Sequence, residues 1–214
     1  MAKRRKKMKH PIFGSIDYST GGLPSWEGQV SVPFFAAYDL PPLLEVYWPA
    51  CRLGPDPKEG LFYLVILDEA GTGPTQAQER AFVHFQENQD VICATVVAAI
   101  FQYYQEEYQN LEVPAPRPSK SAIEALLPAL EGAEGLQRLI RFNTLYVLEG
   151  MGDDYSGGAT PETLAKVNHW SLLGFAFSCT WDVEHKLGVV FHRDKVVQVN
   201  GSDITWNGPN VDDF

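Results

Sequence analysis

Cysteine is scarce and unpatterned. Cys51, Cys93 and Cys179 stand far apart, with no C-x-x-C or C-x-x-H companion, which excludes a disulfide framework and a structural zinc site and suits a reducing, cytoplasmic setting. No apolar run approaches the roughly 18 residues of a membrane span; Leu61 to Leu67 has the length of a strand. The basic start is followed by Pro11-Ile12-Phe13-Gly14-Ser15, which supplies no apolar export region and no cleavage site. Phosphate-loop, dinucleotide, nucleophile-elbow and kinase signatures are all missing. No repeat of about 20–50 residues is visible, which excludes a solenoid. What remains is an ordinary composition of 214 residues, 45% hydrophobic and 21% charged. Such a chain can build a core without staples, and neither a knottin, a collagen nor a wholly disordered chain has this make-up.

The net charge of −10 argues against a general nucleic-acid binder, because phosphate contacts need a basic face. That figure averages two unlike parts. Five of the 17 Lys and Arg residues, Lys3, Arg4, Arg5, Lys6 and Lys7, lie in the first seven positions; the other 12 face 27 acidic residues, a body at −15. The basic cluster reads as an arm for an anionic surface, as a solvated tail, or as residues upstream of a start at Met8. With no amphipathic helix beside the charges, the second and third readings are favoured. A partner of the acidic body is expected to be basic, and nucleic acid is expected at most through the basic tail.

Periodicity predicts an α+β fold. Residues 13–18 and 26–34 form an N-terminal β-hairpin, with Val30, Val32 and Phe34 alternating against Gln29 and Ser31. Residues 43–48 form a third strand, and 61–67 a central strand too apolar for an exposed sheet edge. Thr72 or Thr75 caps a helix over Ala77 to Glu87. A long helix from Val91 to Tyr108 carries Ile92, Val96, Ile100 and Tyr104 at three- and four-residue steps and covers the sheet. Residues 121–130 form a short helix despite Pro128, and 138–148 return to strand character. The segments 170–181, 187–192 and 195–199 are joined too tightly for parallel crossovers, so they pair antiparallel and pack with the long helix. The expected organisation is a disordered basic tail over 1–10, one domain over 11–206 with a Pro-rich linker at about 112–119, and a loose tail over 207–214.

The densest polar constellation is Trp181-Asp182-Val183-Glu184-His185-Lys186-Leu187-Gly188, with His192 beyond it. Trp181, Asp182, Glu184 and His185 are candidates for partner contact or for a structural turn between two strands. Asp182, Glu184, His185 and His192 are also the available ligands for a metal-dependent hydrolase, although the H-E-x-x-H spacing is absent. Whether His169, His185 and His192 converge is a tertiary question. Cys93 and Cys179 sit in apolar runs and read as small buried hydrophobes. No catalytic residue and no cofactor is implied.

Two stretches carry a resemblance. Pro74-Thr75-Gln76-Ala77-Gln78-Glu79-Arg80-Ala81-Phe82 leads into the helix ending at Tyr103-Tyr104, and Phe177 to Val189 is followed by Lys195 to Asp203. Together they resemble, over roughly residues 27–206, a bacterial family of unknown function whose members carry a C-x-W-D-x-E-H-G-x-G turn near the C-terminus. Lys186 stands where that pattern has its first glycine. Such families are similar to those found near polymorphic toxin genes and among immunity proteins. The resemblance implies a non-catalytic binder with a protein partner such as a toxin, met by an acidic or aromatic-rimmed face.

Overall fold

The computed structural model describes residues 6–42, 44, 60–107, 119–149 and 169–209. Among these, eight strands form one mixed sheet whose spatial order follows the chain: β1 (Lys7–His10), β2 (Gly14–Ser19), β3 (Ser25–Ser31), β4 (Leu61–Leu67), β5 (Ile140–Val147), β6 (Leu173–Cys179), β7 (Leu187–His192) and β8 (Lys195–Asn200). Every neighbouring pair is antiparallel except β4 and β5, which run parallel. The long connection between those two carries helices α1 (Gln76–Glu87), α2 (Gln89–Glu107) and α3 (Lys120–Leu126), as a parallel crossover requires. The architecture is α+β.

Helix α1 starts where the sequence offers a cap. The Thr75 hydroxyl accepts from Gln78 N while the Gln78 side chain accepts from Thr75 N, a reciprocal capping box. The Gln78 amide is fully buried and also donates to the carbonyls of Leu67 and Val147, fastening the helix start to the ends of β4 and β5. In α2, Ile92, Cys93, Val96, Val97, Ile100 and Tyr104 face the inner side of the sheet. They meet Phe35, Phe142, Phe175 and Phe177, where each fully buried aromatic or aliphatic side chain contributes on the order of 1.5–3 kcal/mol.

Three expectations change. Residues 7–10 belong to no disordered tail: Met8 and His10 alternate inward as β1, the His10 ring packs tilted against Phe13 at 5.1 Å and pairs with Glu79 at 3.2 Å, and Lys7 pairs with Asp17 at 3.3 Å. Helix α3 ends at Leu126, two residues before Pro128, because a proline disfavours the helical region for the residue before it. A 3-10 segment, Ala133–Arg138, then leads into β5. Asn207, expected in a loose tail, closes a short helix α4 (Ile204–Asn207). The strand expected over 43–48 lies outside the described residues apart from Leu44. So do the Pro-rich linker up to Pro118, residues 1–5 and residues 210–214.

The sheet has a second, smaller buried layer on its outer face. Leu148, Leu172, Val190 and Ile204 pack there with Leu67, Tyr146 and Val197. Helix α4 seats this layer by close approach: Gly174 and Gly188 lie directly beneath Thr205, where any Cβ would collide with it. The β6 and β7 strands are consequently buried on both faces, while β3 and β4 are not.

Candidate functional site

The constellation foreseen after β6 is a tightly bonded turn. The Asp182 carboxylate accepts from His185 N at 2.8 Å and lies 3.2 Å from His185 Nδ1. Asp182 O accepts from Lys186 N and from the Cys179 thiol. His185 O receives both the amide and the hydroxyl of Ser202. Trp181 is buried against Tyr104, ring centroids 4.9 Å apart, and the Tyr104 hydroxyl donates to Pro128 O. Lys186 takes φ +60°, a left-handed conformation that glycine adopts without the Cβ penalty. Glu184 and His185 point to solvent. The turn is thus anchored by Trp181 and Asp182, and its exposed members are Glu184 and His185.

The four residues considered as metal ligands do not gather. His185 lies in the turn before β7 and His192 ends the strand, so the six extended residues of β7, at about 3.3 Å a step, hold them roughly 15 Å or more apart. Among the described residues no group of three or more His, Cys, Asp or Glu is spaced to hold a metal ion. His192 instead belongs to the opposite end of the sheet. There His84 on α1 pairs with Asp194 at 2.9 Å and meets Trp170 edge-on, Arg193 lies over the Trp170 ring at 5.2 Å, and Arg80 donates twice to His169 O. Burial, then Arg193, lowers the His192 pKa, opposed by a hydrogen bond with the Trp170 backbone. His169 and His192 therefore share an end that His185 does not reach. These contacts tie the β7–β8 hairpin to α1.

Cys93 is buried, and desolvation followed by Asp90 pushes its thiol up to about 12, so it stays protonated and unreactive. Cys179 is also buried, and Cys51 lies outside the described residues.

The outer face of β3, β4 and β5 is different in kind. Strand β4 alternates Phe62, Leu64 and Ile66 inward with Leu61, Tyr63, Val65 and Leu67 outward, and Leu61 and Tyr63 are 43% and 48% exposed. The register sets Gln29 and Thr144 on either side of Tyr63, and Glu27 and Tyr146 on either side of Val65. Trp206 packs on Tyr146 at 5.7 Å and ends the face on the α4 side. Burial raises the Tyr146 pKa, and the Glu27 carboxylate adds to the shift. Towards β1 an open groove of about 480 Å³ runs past Lys7, Ser15, Asp17, Glu27 and Gln29. At the far ends of the parallel strands the Glu149 carboxylate accepts from Glu69 N at 3.0 Å. The result is an apolar and aromatic strip bordered by carboxylates.

Sequence reasoning missed this face. The run Leu61 to Leu67 is apolar throughout, so nothing in it marks one side as solvent-facing. The only pointer is the polar alternation Glu27, Gln29, Ser31 on the strand that becomes its neighbour.

The fold and this face define an α+β domain with a mixed sheet, helices over its inner side and a half-open outer side. A family model described as domain of unknown function DUF6985 matches residues 12–157 and 163–206, and the chain belongs to that family. No curated protein and no solved structure matches it. Among the described residues no helix is long and apolar enough to cross a membrane.

Proposed function

We propose that this domain is a non-catalytic protein-binding module of the immunity type, acting in the cytoplasm and engaging a basic partner, such as a toxin, through the outer face of β3 to β5. The observation that carries the reading is the exposure of Leu61 and Tyr63 side by side on a central strand. Large apolar side chains grouped on one face, rimmed by polar ones, mark interaction surfaces. Glu27 and Asp17 on the same side of the sheet, in a chain of net charge −10, favour a cationic partner. The turn residues Glu184 and His185 are a second exposed surface, and their hydrogen-bonded setting suits a structural role.

The test is site-specific photo-crosslinking in the native cell, with the crosslinking amino acid at position 63 and, as control, at position 91. Val91 is 70% exposed on helix α2, on the opposite side of the sheet. A basic protein joined at 63 and not at 91 is the expected result. No protein adduct at 63, or the same adduct set at both positions, overturns the reading.

A further inference from the structure

Within that face, Val65 is half-buried and bordered by larger side chains. Its four neighbours on the outer side are Glu27 across β3, Tyr146 across β5, and Tyr63 and Leu67 two residues away along its own strand. Neighbouring strands lie about 4.8 Å apart and alternate residues on a strand about 6.6 Å apart, so all four side chains rise from the sheet within about 7 Å of Val65. Valine is the smallest of the five. The Tyr146 ring is held by Trp206, while Tyr63 is half exposed.

Glu27 carries an exposed negative charge on this face. Its cross-strand neighbour Asp17 is neutralised by Lys7 at 3.3 Å, yet among the described residues Glu27 has no cationic partner. A carboxylate set beside the half-buried Tyr146 phenol without a counter-ion leaves a negative potential beside an apolar surface.

We propose that the surface over Val65 is a subsite for one arginine side chain presented by a protein partner, with its guanidinium paired to Glu27 and stacked against Tyr63 and Tyr146. The proposal rests on the protein-binding reading and names the side chain that reading leaves open. Arginine fits better than lysine because its planar guanidinium is weakly hydrated, stacks on aromatic rings and pairs with a carboxylate through two parallel donors. The aliphatic stem of the same side chain covers Val65 and Leu67.

The full chain, carrying carbon-13-labelled valine methyls, is titrated with the capped tripeptide Gly-Arg-Gly and with its citrulline analogue, which has the same shape and no charge. Saturable shifts at the Val65 methyls with the arginine peptide, weakened roughly fivefold to tenfold in Glu27→Gln, are expected. Equal shifts with both peptides, no saturable shift at Val65, or preferential saturation by choline overturns the subsite. Glu27 is exposed, so the substitution leaves the fold intact for this measurement. The position-63 crosslink is then repeated in the Glu27→Gln chain. An undiminished adduct together with a silent Val65 removes the arginine subsite and leaves protein binding standing. Loss of the adduct from the parent chain removes the broader reading itself.

Discussion

Trp26 donates its indole N–H to Asp68 Oδ2 across 2.8 Å, joining the start of β3 to the turn that follows β4. The Asp68 side chain is buried and accepts two further hydrogen bonds, from Gly73 N at 2.7 Å and Thr72 N at 3.3 Å. Its carbonyl takes the Tyr18 hydroxyl. Lys6 lies over the Trp26 ring at 5.3 Å and donates to Gly71 O, closing the arrangement from the N-terminal side. One carboxylate thus organises the loop that delivers the chain to the α1 cap.

Asp68→Ala strands the indole N–H and releases two loop amides. A cost of about 2–3 kcal/mol is expected, because a buried donor left unmade loses its full solvation. Asp68→Asn retains an acceptor for Trp26 and should lose about half as much. Urea unfolding followed by tryptophan fluorescence measures both, and an Ala variant as stable as the parent refutes the account.

Lys186 and Arg193 both sit at positive φ, +60° and +57°. A left-handed non-glycine residue costs about 1–2 kcal/mol relative to glycine. Lys186→Gly is therefore expected to raise stability by about 0.5–1 kcal/mol, after allowance for the greater freedom of the unfolded chain. Arg193→Gly gains the same relief but loses the cation–π contact over Trp170, and should come out close to neutral. Thermal midpoints of the two variants, compared side by side, test the distinction.

His192 links stability to pH. Its folded-state pKa lies below the ordinary value near 6.5 through burial and through Arg193 and Lys195. The unfolded chain therefore takes up this proton first, and the contribution is fully present above about pH 6.5 and is lost as pH falls through it. Urea unfolding at about pH 7.5 and about pH 5.5 should show a smaller acid loss for His192→Gln than for the parent. An identical loss in both sinks the assignment.

Gly174→Ala places a methyl group against the Thr205 backbone. Backbone cannot step aside as a flexible side chain does, so α4 must lift from the sheet and expose Leu172, Val190 and Ile204. A loss of about 2–4 kcal/mol follows, and the dislodged Trp206 should change its near-ultraviolet signal.

The double variant Leu61→Ser with Tyr63→Ser is expected to stay within about 1–2 kcal/mol of the parent in stability, since both side chains are about half exposed. With the crosslinking amino acid moved from position 63 to position 65, the basic-protein adduct should be lost in this variant. Retained association in the folded variant assigns binding elsewhere.

Elements with a strong local signal were legible in the sequence. The Thr75 cap, the β4 run, the long helix and the antiparallel trio at the C-terminus stand where periodicity and short connections put them. The tail was misjudged because Lys7-Met8-Lys9-His10 reads as a charge run. Its two inward residues acquire meaning only when Phe13 and Glu79 arrive from elsewhere in the chain. The turn at Asp182 was seen, and the hydrogen bonds that Ser202 donates to its His185 carbonyl, seventeen residues back, were not.

The sequence by itself determined the α+β class, the order of the elements from β2 to β8 and the acidity, because periodicity, breakers and charge are local properties of the chain. Tertiary structure decided that His185 and His192 stand at opposite ends of β7, that Asp68 meets Trp26, and that Tyr63, Tyr146 and Glu27 surround Val65. Strand register and the parallel crossover between β4 and β5 bring residues from three distant segments onto one face. No local pattern encodes such a pairing, since it depends on which strand lies beside which.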